Sequence, residues 1–171
     1  MTETEIEKFF CTFISSMGLV AVRSRECKQA PVGTYYSVGV TSVDSAGTLH
    51  ETATRDPLEP RQRVYQNVAT LVVWEVEGER DGIRTLRNRI DTASFRAQAY
   101  EFGLSIWGMG SIMDMSTTDG PFWIRQKRME ITLAFTDVVD GEALPIESVE
   151  GSGTENGYRD SFQHWTIINK E

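Results

Sequence analysis

Arg128-Met129-Glu130-Ile131-Thr132-Leu133-Ala134-Phe135-Thr136 decides the fold, because it alternates with period two. Met129, Ile131, Leu133 and Phe135 fall on one face. Arg128, Glu130, Thr132, Ala134 and Thr136 fall on the other. Successive side chains of a strand point to opposite sides of a sheet. The stretch is therefore a strand with one buried face and one that is wet or pressed on a partner.

Working outward, residues 122–138 read as one arm of a hairpin. The turn before it is Thr117-Thr118-Asp119-Gly120, and Asp-Gly is a favoured hairpin dipeptide. Residues 104–115 form the preceding strand, with Gly108 and Gly110 marking a bulge or a close backbone approach. Residues 64–77 are rich in Val, Leu, Tyr and Trp. There Val68, Thr70, Val72, Trp74 and Val76 share one face, and Ala69, Leu71 and Val73 the other. Apolar residues on both faces mark a central strand. A helix carrying Ile83, Leu86 and Ile90 follows Gly78, and a second helical piece spans 94–101 before Gly103.

Upstream, Ile6, Phe9, Phe10, Phe13, Ile14 and Met17 make one apolar stripe at helical spacing. Thr2-x-x-Glu5 and Thr4-x-x-Glu7 each offer a capping box, and Gly18 is placed to end the helix. The stripe is expected to pack on the sheet; Glu3, Glu5 and Glu7 disfavour a membrane-seeking role, since anionic lipid would repel them. Residues 19–23 read as a short strand. Tyr35-Tyr36 opens a β-rich segment through Val38, Val40 and Val43, closed by Asp44-Ser45-Ala46-Gly47. Residues 49–63, with Pro57 and Pro60, read as a long loop or an extended hairpin tip. The expected fold is α+β: an antiparallel or mixed sheet of four to five strands, with the N-terminal helix and a central helix pair on one face. Residues 1–141 form the domain and 142–171 a C-terminal extension.

Composition narrows the function classes. The chain has 171 residues, enough for one domain with a real core, and a formal charge of −8. Nucleic-acid binding normally leaves a basic footprint, which this balance lacks. No apolar run approaches the roughly eighteen residues of a membrane-spanning helix. The first residues are acidic and lack a signal-peptide layout, so folding in a cytoplasm is expected. Cys11 and Cys27 form no CxxC pair, and a disulfide between them is not expected in a reducing compartment. His50 and His164 stand outside any HExxH or Cys/His cluster.

Motifs for catalysis are sparse. The sequence contains no GxSxG, GxxxxGK[ST] or GxGxxG. Asp114 and Asp119 flank the hairpin tip and could hold a divalent cation, but turn chemistry accounts for Asp119 without one. His164, beside Gln163 and Trp165, could act as a base in a pocket or be an ordinary surface histidine. Neither makes an enzyme, a metal site or a cofactor site the expectation. Arg80, Arg84 and Arg87 share one side of the central helix. They form either a solvated face or a contact for carboxylates of a neighbouring copy, with Glu142, Glu147, Glu150 and Glu155 as candidate partners. Trp107, Met109, Ile112, Met113 and Met115 suit either a core or an interface, and at least half of them are assigned to the core.

The order of these pieces resembles the neck or tail-terminator proteins of tailed bacteriophages. The resemblance rests on the N-terminal amphipathic helix, Ala30-Pro31-Val32-Gly33-Thr34-Tyr35-Tyr36-Ser37-Val38, and the strand over 62–76. It continues through the arginine-bearing helix, Ser111-Ile112-Met113-Asp114-Met115, the strand over 125–137, and Pro145-Ile146-Glu147-Ser148-Val149-Glu150-Gly151. Two features depart from the pattern: Val76-Glu77-Gly78 lacks an aromatic-glycine close, and the tail past Gly153 is longer.

The resemblance implies a structural virion protein rather than an enzyme. Copies would close into a ring, a hexamer in this family, at the head-proximal end of the tail tube. The ring would stop tube growth and dock the neck or connector protein, and in a contractile tail it would also anchor the sheath protein. Assembly would take place in the host cytoplasm, with DNA passing the ring's channel and with no membrane partner; the acidic charge balance adds the expectation that the channel wall is acidic, so that DNA slides without specific binding. Arg80, Arg84, Arg87, Glu147 and Glu150 become the expected subunit interface, and Leu58, Arg61 and Asp119 the expected tube or neck contacts. The alternatives are a small-molecule enzyme or ligand-binding domain, marked by a deep pocket with a perturbed acid or base, and another head–tail connector ring protein.

Overall fold

A computed structural model of the chain describes residues 1–26, 29–46, 50–52, 61–78, 81–119 and 121–141. The sheet is built around two long strands, β4 (Arg61–Val76) and β9 (Gln126–Gly141), paired antiparallel from Arg61↔Gly141 to Val76↔Gln126. β2 (Tyr35–Ser45) runs antiparallel beside β4, and β1 (Ala21–Arg23) adds to β2 in parallel. β5 (Leu104–Met109) closes the other side against β9, giving the order β1-β2-β4-β9-β5. Two short strands complete it: β3 (His50–Thr52) on β4, and β6 (Met113–Asp114) on β9. The expected α+β architecture with a mixed sheet is present.

The segment expected to be one strand over 104–115 is two strands. β5 stops at Met109, and Gly110 donates its N–H to Glu130 O at 2.8 Å while its bare Cα lies against the Glu130 side chain. Similarly the hairpin arm over 122–138 divides at Arg125. β7 (Thr117–Asp119) and β8 (Phe122–Ile124) form a separate two-stranded hairpin, so Thr117, Thr118 and Asp119, expected in the turn, are its first strand; Gly120 lies outside the described residues, and β9 begins after the hairpin. Over 49–63 the hairpin reading holds for its two ends, since β3 pairs with the start of β4. Residues 53–60 lie outside the described residues.

Alternation builds the core. Ala69, Leu71 and Val73 of β4 and Met129, Ile131, Leu133 and Phe135 of β9 are buried with Tyr36, Val38 and Val40 of β2. Three helices cover this one face: α1 (Glu3–Ser16), α2 (Gly82–Ile90) and α3 (Ala93–Glu101). α1 starts with the Thr2/Glu5 capping box, and after Ser16 the chain turns through Gly18 at φ +78°, a conformation that favours glycine. It buries Ile6, Phe10 and Ile14. Phe95 of α3 locks the helices together, with ring centroids 4.1 Å from Phe13, 5.6 Å from Phe10 and 5.7 Å from Phe9.

Two bulges change which residues face the core. In β2 the register shifts between Val40 and Ser42; Val38 and Val40 before it are buried, whereas Val43 beyond it is 40% exposed. In β5 it shifts between Ile106 and Gly108, which makes Trp107 the extra residue. Glu7 of α1 is buried at the first bulge, where its Oε1 accepts the Val40 N–H at 3.0 Å. The strand-to-helix corner after β4 is made by Glu77, whose φ of +52° is unusual for a residue with a side chain. Three hydrogen bonds hold it. Its N–H donates to Arg125 O (2.9 Å), its Oε1 accepts Arg125 N–H (3.2 Å), and its carbonyl accepts the Thr34 hydroxyl (2.7 Å). That corner takes the place of the expected aromatic-glycine close.

Candidate assembly surfaces

Among the described residues the helices lie on one side, and no helix covers the second face of the sheet. Trp74 of β4 and Arg128 of β9 lie opposite each other near one end of the β4–β9 pairing, the guanidinium 5.7 Å from the indole ring centroid, and Arg128 also pairs with Glu130. Val72 and Ala134 on this face are buried. The face is thus a mixed polar and apolar plate, as the alternation of β9 implied.

The two lateral edges differ. At the β5 edge Tyr100 is 76% exposed and Trp107 55% exposed, with Phe102 beside Phe9 at a centroid distance of 4.6 Å. Tyr100 and Trp107 line a shallow depression of about 400 Å³ with Gln66, Ser105 and Thr136. The β1 edge is charged instead: Arg23 pairs with Glu26, and Arg25 pairs with Glu3 at 2.7 Å while donating to Val40 O at 3.1 Å. The core assignment of the 107–115 group needs correction here. Met109 and Ile112 pack against the core, whereas Trp107, Met113 and Met115 are exposed. The bulge at Trp107 and the break at Gly110 carry the chain out of the alternating pattern on which a core position depends.

Of the arginine face, Arg84 projects from α2 with its side chain 72% exposed and meets Asp81 at 3.4 Å. Arg87, one turn on, is half-buried, and with Arg89 it lies in the last helical turn, where positive charge complements the helix dipole. Arg61 starts β4 opposite Gly141, and Asp119 ends β7 opposite Phe122. Arg80, Leu58, Glu142, Glu147, Glu150, Glu155 and His164 lie outside the described residues, as does Cys27. Cys11 is a free thiol whose pKa is pushed up to about 11 by burial, with Glu7 adding to the rise and Arg23 opposing it.

Sequence reasoning missed one group. Glu75 of β4 is only 1% exposed. The Tyr36 hydroxyl donates to its Oε1 at 2.7 Å, and its Oε2 lies 3.9 Å from Lys127 Nζ. A Cβ at Gly78 would overlap this carboxyl, and one at Gly82 would overlap Oε1 and crowd the Tyr36 hydroxyl. The signal available in the sequence was the pair of glycines flanking a helix start, which leave space for a side chain three residues upstream of the first. A cavity of about 740 Å³ forms a groove between the end of α1, α2 and the start of α3, with Tyr36, Thr85, Arg89 and Thr92 on its wall. Asp114, held below the usual carboxylate range by the Ser116 hydroxyl and N–H, does not line it, nor do Glu5 and Cys11. Among the described residues, no three His, Cys, Asp or Glu side chains gather where they could hold a metal ion, and no helix is long and apolar enough to cross a membrane.

Set against known proteins, the chain matches no protein-family model and no curated protein.

Proposed function

We propose that the chain is a tail-terminator subunit of a tailed bacteriophage, a structural protein that acts by binding copies of itself and its neighbours in the tail. The observation that carries the reading is the unlike pair of sheet edges. An aromatic edge at Tyr100 and Trp107 faces away from a charged edge at Arg23, Arg25 and Glu26. A ring that closes by head-to-tail contacts needs two different complementary patches on each subunit. Two identical patches would give a dimer instead. The sheet face that carries Trp74 and Arg128, which no described helix covers, and the Arg84/Arg87 side of α2 add polar surfaces of the kind that interfaces use.

In this reading copies form a ring, a hexamer by resemblance, on the last layer of the tail tube. The ring blocks further addition of tube protein and offers its other side to the neck or connector protein. In a contractile tail it also holds the end of the sheath. A net charge of −8 suits a channel through which DNA slides without sticking. Beside the two edges, Arg84 and Arg87 of α2 with Arg80, and Glu147 and Glu150, are proposed to add to the subunit contact, and Leu58, Arg61 and Asp119 to meet tube or neck.

Electron microscopy of tails assembled without this protein tests the proposal. Overlong tubes that never join heads are expected. Tubes of normal length that fail to join would assign the chain to a connector ring, and normal tails on heads would remove both readings.

A further inference from the structure

We infer that an uncharged stretch of this same chain, residues 161–169, seats its apolar side chains in the depression at Tyr100 and Trp107. The depression, about 400 Å³, lies where the start of β5 meets β9. Tyr100 and Trp107 give it aromatic walls, and Gln66, Ser105 and Thr136 add neutral polar groups. Among the described residues that line it, none carries a formal charge. The aromatic exposure is built into the strand, because the β5 bulge makes Trp107 the extra residue. A surface of this kind suits an occupant that is apolar and uncharged.

Residues 142–171 follow β9 and lie outside the described residues, so only their sequence enters here. Most of that stretch is acidic, with Glu142, Glu147, Glu150, Glu155 and Asp160. A carboxylate against aromatic walls would lose water without meeting a cation. Ser161 to Asn169 is the exception. It holds Phe162, Trp165, Ile167 and Ile168 and no Asp, Glu, Lys or Arg. Its two aromatic rings match the walls, since ring pairs attract in edge-on and offset contact.

The path of β9 brings the stretch within reach. Thr136 lines the depression, and Gly141 ends the strand five positions on, roughly 17 Å away. The 20 residues from Glu142 to Ser161 span up to about 66 Å when extended, enough to turn back. Such a tether gives an effective concentration on the order of 1 mM, well above that of free copies in dilute solution. Arg96 of α3 donates to Ile106 O at 3.1 Å, so a β5 carbonyl is already taken. The contact is therefore made by side chains rather than by an added strand. In the ring reading this edge meets a neighbouring copy, and the stretch leaves it as copies join. The docking itself is read on the isolated chain and does not rest on that reading.

The test is titration of the full chain with a synthetic peptide of residues 158–171, followed by NMR. In a chain carrying Phe162→Ala and Trp165→Ala the depression is vacated, and the peptide is expected to bind with a Kd of about 1 mM or tighter. The native chain should bind it at least about tenfold more weakly, because its own stretch competes. Adding Trp107→Ala to the vacated chain should weaken the peptide about tenfold or more. Should that variant fail to fold, Tyr100→Ala, at the exposed end of α3, decides, with the same loss expected. No saturable binding up to about 10 mM overturns the contact, as does equal affinity in the native and vacated chains. Unchanged affinity in the folded Trp107→Ala protein, or in Tyr100→Ala where it stands in, does so too. Nuclear Overhauser contacts from Trp165 to Trp107 between chains carrying different isotopes would seat a second copy there and overturn docking within one chain.

Discussion

Reversing Arg84 and Arg87 together to glutamate separates a contact surface from a structural one. Arg84 is exposed and meets only a surface partner, Asp81 at 3.4 Å, and such pairs contribute about 0–1 kcal/mol. A glutamate there faces Asp81 as a like charge three residues away, a penalty of about 0.2–0.5 kcal/mol. Arg87 lies in the last turn of α2, where losing a favourable dipole interaction costs about 0.3–1 kcal/mol. The fold should therefore lose about 1–2 kcal/mol, which in a chain of this size lowers Tm by about 2–8 °C. At a subunit contact the scale differs. Truncating one side of a buried, hydrogen-bonded charge pair costs about 2–5 kcal/mol at each interface, and every 1.4 kcal/mol is about tenfold in affinity. Thermal melting by circular dichroism should thus move little, while rings scored by electron microscopy on isolated tail tubes should vanish. Glu147→Arg with Glu150→Arg in the same protein should bring rings back. Normal rings from the double reversal would remove the arginine face from the interface. A fall in Tm beyond about 10 °C would show that these arginines hold the fold instead.

Three further outcomes follow from the packing. Phe95→Ala empties the site between Phe9, Phe10 and Phe13 and should cost about 3–5 kcal/mol in urea unfolding; a loss below about 1 kcal/mol would mean that α3 is not held by this cluster. Gly82→Ala presses a methyl group into Glu75 and Tyr36 and should cost about 1–3 kcal/mol, whereas Gly108→Ala, with nothing within 4 Å, should cost less than about 1 kcal/mol; equal losses would contradict the crowding. The Thr2 N–H and hydroxyl hold the Glu5 carboxyl below its ordinary value of 4.5. A depressed carboxyl pKa adds stability that is present above the ordinary value and lost as pH falls through the depressed one. The difference in Tm between the native protein and Glu5→Gln should therefore shrink as pH drops below 4.5, and a difference that stays constant would disconnect the capping box from acid stability.

Local periodicity made much of the fold legible. The stripe from Ile6 to Met17 places α1, its Thr2 cap is visible three residues ahead of Glu5, and the alternation of β9 separates a core face from an open one. The Asp119-Gly120 dipeptide pointed to a hairpin, but Thr117–Asp119 are its first strand and not its turn, and β7 and β8 form their own small sheet. The surfaces were less legible. Trp107, Met113 and Met115 look like core residues by type and are exposed, because a bulge and a glycine break move them off the alternating rows. Glu7 and Glu75 look like surface carboxylates and are buried, because their partners, the Val40 N–H and the Tyr36 hydroxyl, come from distant parts of the chain.

Alone, the sequence determined the elements, their apolar faces and hence an α+β sheet with helices on one side, since spacing along a chain fixes which side chains share a face. Tertiary structure decided which strands form the two lateral edges, where register slips, and which carboxylate oxygen is shut away from water beside a lysine. Those depend on what lies across a strand or beneath a helix, and no local period encodes a neighbour more than thirty residues away.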